Sequence, residues 1–385
     1  MSKIVHVIIA ANYREGFGYQ ENILPWKHKE LGFDVTIITQ QVQGMKAPCE
    51  YINNNDVKVV VLKAKKAPFK KIPLLGTLSK AWTEKSVGLY DALLQEKPDI
   101  IFIHNVLAKE HLQIVKYKKT HPTVKIFADN HEDYYNSAVK GGAKAALFTA
   151  GRYIASRLLP YTEKFWGVTP WRVDYLQKVY RIPSEKTGLL VMGGDEKLVN
   201  WEKRDEVRQT VRNKYGIPSD AFLVISGGKI NRTKNVHLLV EAIKQIPNVW
   251  LMIFGNYEKD MVNYPDTIQC DRIINIGWMD SNKVYDLFLA SDLGCFPGTH
   301  SVLWEQACAS GLPCVFKDWN GGFNHVDLGG NCILMKEPTI DKLITIISEM
   351  KCKASSYIEI KKIASTKARE YFSYNKIAQR SIGIV

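Results

Sequence analysis

None of the seven cysteines in this 385-residue chain lies in a C-x-x-C pair, and no low-complexity tract or recognisable internal repeat is present. The missing pairs speak against a structural zinc module and for a reducing cytoplasm. There Cys295, Cys308, Cys314 and Cys332, set in apolar segments, pack as small hydrophobes. No stretch approaches the roughly 18 uninterrupted apolar residues that a membrane-spanning helix needs. The opening MSKIVHVIIAANYREG is only briefly apolar, is interrupted by His6 and lacks a cleavage site, so it is read as a buried first strand. What the chain does have is positive charge, +13 formally. An anionic partner follows, and nucleic acid, an anionic membrane or a phosphorylated substrate would each satisfy it.

The length suits two domains. Short Val/Ile-rich runs (IVHVIIA, DVTIIT, VKVVVL, DIIFI, VKIFA, FWGVT, GLLVM) alternate with helical patterns, the signature of parallel strands with crossover helices. After a charged interval the pattern resumes with FLVISGG, VWLMIFG, IINIGW, DLGCF, PCVFK and CILM. The fold class is therefore α/β. The expected division is an N-terminal domain over residues 1–190, a second over 191–365, and a C-terminal helix over 366–385 packing back on the first.

Ligands of open α/β sheets settle at the carboxyl ends of strands. There the stretch GGKINRTKN offers Lys229, Arg232 and Lys234, read as a strand-to-helix loop in which Gly227 and Gly228 permit close approach of a diphosphate. It carries neither G-x-x-x-x-G-K-[ST] nor G-x-G-x-x-G, and a merely solvated basic surface is the alternative. In LGCFPGTHSVLWEQACASGLPCVF, Glu305 lies early in an apolar helix. It would need a hydroxyl or cationic partner if buried, or else it complements the helix dipole. Gly16 and Gly18 form a glycine-bearing loop after the first strand, or a plain turn.

The fifth apolar run ends in DNHEDYYN, where His131 could hydrogen-bond a sugar hydroxyl or a carboxylate could take a proton. One histidine among carboxylates, with no second at ligand spacing, gives no recognisable metal site there. His104 is placed similarly after DIIFI. Between Lys63 and Trp82 lysines interleave with apolar residues, which suits an anionic membrane surface. Single-stranded nucleic acid and a solvated loop are the competing readings.

Together these pieces resemble the GT-B nucleotide-sugar glycosyltransferases, and more narrowly glycosyltransferase family 4 (group 1). The resemblance rests on GFGYQENILPWKHKELGFDVTIIT, NHED, GVTPWRVDYLQKVYRIPSEKTGLLVMGGD, GGKINRTKN and EQACASGLPCV, in that order. It implies two Rossmann-like domains facing a cleft, the first binding the acceptor and the second the donor, expected to be a UDP-sugar. Lys229 and Lys234 match the cations that neutralise the departing diphosphate, with Gly228 and Arg232 beside them. His131 matches the histidine near the donor sugar, and Gly16 and Gly18 the glycine loop beside the phosphates. Glu305 matches the second glutamate of E-x7-E, assigned to the ribose.

The backbone of Gly298, Thr299, His300, Ser301, Val302 and Leu303 would hold phosphate and sugar hydroxyls. The first glutamate of E-x7-E falls on Pro297, so sugar recognition must differ, through Thr299, His300 or Ser301. The implied activity is sugar transfer with retention to a lipid-linked or saccharide acceptor in cell-surface polysaccharide synthesis. No metal or other cofactor is expected, nor a nucleic-acid partner, and the enzyme would be cytoplasmic or peripheral on the membrane's inner face. A nucleotide-sugar 2-epimerase and a non-catalytic nucleotide-sugar-binding subunit are the alternatives.

Overall fold

The computed structural model describes all residues except 11–12, 17, 42–46, 66–83, 135–141, 281, 353–354 and 385, and only the backbone of 142–147. Most of the basic stretch from Lys63 to Trp82 thus lies outside the described residues. The chain forms two compact units, Met1–Leu190 with Ala378–Val385, and Val191–Ile377.

The strands of the first unit are β1 (Lys3–Ile8), β2 (Asp34–Gln40), β3 (Cys49–Ile52), β4 (Lys58–Ala64), β5 (Ser86–Val87), β6 (Ile100–Ile103), β7 (Lys125–Asn130), β8 (Lys164–Gly167) and β9 (Thr187–Leu189). They are ordered β3-β4-β2-β1-β6-β7-β8-β9, with β5 beside β4. The pairings along β4-β2-β1-β6-β7-β8-β9 are parallel. Only β3 and β5, at the β4 edge, run antiparallel among the described strands. The all-parallel reading of the sequence missed these two because β3 alternates half-buried and exposed residues and β5 has two residues. Inner strands such as β1 are covered on both faces, which explains their unbroken apolar runs. Val5, Val7, Ile101, Ile103, Ile126 and Phe165 form the centre of the core.

In the second unit β10 (Phe222–Ile230), β11 (Val249–Tyr257), β12 (Ile273–Gly277), β13 (Leu293–Phe296), β14 (Cys314–Lys317) and β15 (Cys332–Met335) are ordered β12-β11-β10-β13-β14-β15. Every pairing is parallel. The amphipathic helix Val236–Gln245 presents Val236, Leu239, Val240 and Ile243 to this core, the helical spacing read from the sequence.

Each sheet reverses its strand order once, β1 having β2 on one side and β6 on the other, and β10 having β11 and β13. Such a switch point leaves a crevice beyond the strand ends where neighbouring connections diverge. The residues beyond β6 and β7, and those beyond β10 and β13, are therefore where chemistry is sought.

Candidate functional site

Beyond β10 and β13, two loops are stitched to each other. Lys229 is not in a loop, as the sequence suggested, but in β10, exposed and paired in register with Asn256. The strand outlasts the Gly-Gly pair because the Gly228 and Gly255 backbones pack directly against one another. A Cβ on Gly255 would come within 2.0 Å of the Gly228 carbonyl oxygen, and both residues have left-handed φ. The chain then turns through a 3-10 helix, Arg232–Lys234, begun by Asn231, whose side-chain oxygen accepts from the Thr233 amide. Arg232 is exposed, and its amide donates to Asp260 at 2.9 Å.

The facing loop, residues 297–302, leans on this turn. Thr299 N donates to Thr233 O at 3.1 Å, and Asn235 Nδ2 to Pro297 O at 3.0 Å. At Gly298 a Cβ would meet Thr233 O at 2.3 Å, so only glycine allows the two backbones this close. Gly298 was expected to contact substrate; here it serves the approach of the loops, with its carbonyl accepting from Trp319 Nε1. The Thr299 amide, another expected phosphate donor, is engaged by Thr233.

Lys234 joins the two loops, donating from Nζ to Thr299 O at 2.6 Å and to His300 O at 3.4 Å. Burial lowers its pKa to about 8, and the field of Glu258 opposes that only in part. No carboxylate is paired with it among the described residues. A half-buried ammonium held by neutral carbonyls retains positive potential that an anionic ligand would neutralise.

Glu305 is completely buried in the helix Leu303–Ala309. Its Oε1 accepts from His300 Nε2 at 2.8 Å and from His325 Nε2 at 2.9 Å. The two imidazoles outweigh the burial that opposes ionisation and hold the carboxyl far below its usual range. The His300 ring stacks on Phe323, with centroids 4.2 Å apart. Glu305 Oε2 and Ser301 Oγ are buried and have no hydrogen-bond partner. A ligand hydroxyl could meet either.

The ligand atoms of His300, Glu305 and His325 lie within 4.8 Å of one another, close enough for a divalent ion. As placed, both rings donate from Nε2 to one oxygen, while His325 Nδ1 is buried without a hydrogen-bond partner among the described residues. Leu303 reaches the same region, its Cδ1 lying 3.0 Å from where a Gly228 Cβ would be, and Val302 precedes the helix half-buried. His325 was missed in the sequence because it stands twenty positions beyond Glu305, in a 3-10 helix, Asn324–Val326, too short to show periodicity.

Gly16, Gly18 and His131 belong to the first unit. Gly16 is exposed with φ +77° and has open space where a Cβ would stand, while Gly18 leads into the helix Gln20–Glu30. His131 follows β7, and its Nε2 is 3.4 Å from Asp129 Oδ2. Asp129 is fully buried and also accepts from His104 Nδ1 at 2.9 Å and from the Asn105 amide at 2.9 Å. Asn105, in the left-handed region, returns its side-chain oxygen to the His131 amide at 2.8 Å. This asparagine beyond β6 was not singled out in the sequence, yet it ties the two strand ends together.

Comparison with known proteins adds to this geometry. Residues 207–364 match the family model of group 1 glycosyl transferases. The putative glycosyltransferase YtcC of Bacillus subtilis is 24% identical over 243 residues, 58% of this chain and 56% of that protein. The lipopolysaccharide core biosynthesis glycosyltransferase LpsE of Rhizobium meliloti is 26% identical over 179 residues, 42% of this chain and 52% of that one. The chain thus spans about half the length of these curated relatives. Among solved structures, Anabaena Alr3699/HepE in complex with UDP superposes with a TM-score of 0.67 at 15% identity, covering 99% of this chain and 98% of that one. The fold is GT-B, and over residues 207–364 the sequence follows the pattern of the group 1 glycosyl transferases.

Proposed function

We propose that the protein transfers a sugar from a UDP-sugar to a lipid-linked or saccharide acceptor in cell-surface polysaccharide synthesis, with retention at the anomeric carbon and without a bound metal. The observation that carries this reading is Lys234, a half-buried ammonium on neutral carbonyls at the second sheet's switch point. Lys229 and Arg232 would add charge from β10 and the 3-10 turn. As the donor's glycosidic bond breaks, negative charge grows on the leaving diphosphate, and fixed cations stabilise that transition state more than the ground state. Glu305 Oε2 would take a ribose hydroxyl, and the loop 298–303 the remaining phosphate and sugar contacts.

His131 would hydrogen-bond a donor-sugar hydroxyl, and Gly16 and Gly18 would allow close approach of the donor phosphates. The HepE complex with UDP supports the choice of nucleotide, and the named role of LpsE in lipopolysaccharide core biosynthesis supports the class of product. The described helices include none long and apolar enough to cross a membrane, so contact with a lipid-linked acceptor would be peripheral, through the basic stretch between Lys63 and Trp82.

Thermal-shift titration with UDP and a panel of UDP-sugars, followed by product analysis with and without acceptor, tests the reading. Stabilisation by UDP and acceptor-dependent transfer that persists in chelator are expected. Conversion of the donor alone to its 2-epimer would instead identify an epimerase, and binding without turnover a non-catalytic subunit.

A further inference from the structure

Behind His131 the first unit holds a row of side chains for which sugar transfer has no direct use. From Asp129 Oδ2 it runs 2.9 Å to His104 Nδ1, then 3.0 Å from His104 Nε2 to His6 Nδ1 and 3.0 Å from His6 Nε2 to His28 Nδ1. His28 Nε2 ends it, 3.0 Å from both Ser381 Oγ and Ala378 O. All three rings are buried, His6 on β1, His28 on the helix Gln20–Glu30 and His104 just past β6, with Phe102 against each of them.

The hydrogens of such a row follow from what each end can do. An ionised carboxylate only accepts, so His104 carries its hydrogen on Nδ1. A neutral His104 then accepts at Nε2, which requires Nδ1–H on His6, and the same step requires Nδ1–H on His28. At the far end a donor is needed, and the Ser381 hydroxyl, whose oxygen also lies 2.7 Å from Ala378 O, supplies it by turning its one hydrogen from that carbonyl to His28 Nε2. The opposite arrangement, His28 donating to Ala378 O while His104 still serves Asp129, puts four ring hydrogens on three imidazoles, a buried cation. Burial lowers His28 to about 4 and holds His6 well below its ordinary value, so neither of these two rings favours that extra hydrogen.

We propose that His104, His6 and His28 form a one-way row of Nδ1–H donors, capped by the Ser381 hydroxyl, which keeps Asp129 ionised as the positioning residue of His131. Every N–H in the row points toward the carboxylate, and its dipoles add there. Asp129 Oδ2 in turn lies 3.4 Å from His131 Nε2, an ion-pair distance that orients the ring toward the carboxylate. The other charges facing His131 are Glu21 on the helix Gln20–Glu30 and Arg172 on the helix Pro170–Lys178, the latter 3.3 Å from Asp133. Burial disfavours the His131 cation, and Asp129 outweighs burial, so the ring gains a proton more readily than a free histidine. The row is a property of the free protein; only its catalytic consequence rests on the transferase reading.

Long-range proton–nitrogen NMR of the full chain labelled with ¹⁵N-histidine reads tautomers directly, without substrate. Nδ1–H signals are expected for His104, His6 and His28 at pH 7, the tautomer less favoured in water. His131 should titrate separately, at higher pH than a free histidine. In Ser381→Ala, a mild change, His28 should switch to Nε2–H and donate to Ala378 O. In Asp129→Asn the His131 titration midpoint should move to lower pH, since the carboxylate that raises it is gone. An Nε2–H or doubly protonated ring in the wild-type row at pH 7, an unchanged His28 in Ser381→Ala, or an unmoved His131 midpoint in folded Asp129→Asn would each overturn the proposal. Should Asp129→Asn not fold, the wild-type and Ser381→Ala spectra decide it. Failure of sugar transfer alongside the expected tautomers would strike the functional reading alone.

Discussion

At the switch point of the second sheet, a lysine sits half-buried on neutral carbonyls and two loops meet at a glycine. At the corresponding place in the first sheet, a carboxylate sits buried among donors, with His104, Asn105 and His131 all directed at it. The first arrangement leaves the Lys234 ammonium without a carboxylate partner among the described residues. The second is nearly saturated, and what it offers a ligand is the orientation of one imidazole. The same parallel-sheet architecture has placed an ammonium among neutral carbonyls in one unit and a carboxylate among donors in the other.

The largest effect that would break this comparison is loss of the lysines. Lys229→Ala with Lys234→Ala should lower transfer from a UDP-sugar by about 10³-fold or more, the scale of removing fixed stabilisation of a leaving group. Circular dichroism should show the fold retained, because Lys229 is exposed and Lys234 bridges loops at the edge of the core. Turnover within tenfold of the parent would sink the assignment of this loop.

Next in size is Gly298→Ala. The new methyl would press on Thr233 O at 2.3 Å and on the Lys234 backbone, atoms that cannot rotate aside, so the loops must separate. Overpacking of this kind costs about 1–3 kcal/mol. A lower melting temperature and a smaller stabilisation by UDP should appear together. Unchanged UDP stabilisation would mean that the loops' approach is irrelevant to binding.

How much of this was legible in the sequence depends on the kind of interaction. Alternating apolar runs gave the parallel strands and both units because burial on two faces leaves a compositional trace. Lys234 and Glu305 were singled out because ionisable groups at strand or helix ends stand out from an apolar background. Gly298 was found in the right loop but for a different use, since a glycine that admits a ligand and one that admits a neighbouring backbone look identical in one dimension. His6 and His28 were passed over as parts of a strand and a helix. His6 bonds His104, 98 positions away, and His28 bonds Ser381, 353 positions away, and hydrogen bonds between such distant segments leave no spacing to read. His325 was missed because its 3-10 turn is too short to show a period.

A smaller effect separates the two carboxylates from ordinary surface acids. Glu305 and Asp129 are both held below the usual carboxylate range by neighbouring imidazoles, against the cost of burial. A group whose folded pKa is depressed contributes stability that is present above its unfolded value, about 4, and is lost as pH falls toward the folded one. Glu305→Gln should therefore melt lower at pH 7 by about 2 kcal/mol, the worth of hydrogen bonds to a charged acceptor. Its difference from the parent should shrink on acidification below about pH 4, as followed by thermal melts across pH. A constant difference at every pH would place the cost in packing rather than in charge.

The smallest effect is the most specific to the ammonium. Lys234 has its pKa lowered from 10.5 to about 8, burial being the main cause, so its charge is lost in a range where other lysines keep theirs. Two trends follow, of opposite sign. UDP should bind about fivefold more weakly at pH 9 than at pH 7, because the ammonium that attracts it is neutralised as pH rises through about 8. The free protein should gain Lys234's contribution to stability over the same rise, since the unfolded chain binds the proton that the folded one has released. Lys234→Arg keeps its charge throughout and should show neither trend, although its fork changes the contacts to Thr299 O and His300 O. Isothermal titration with UDP and thermal melts of both proteins, each from pH 7 to 9.5, separate this from general alkaline damage. Damage would weaken binding and stability together, whereas a buried cation awaiting an anion loses the first while gaining the second.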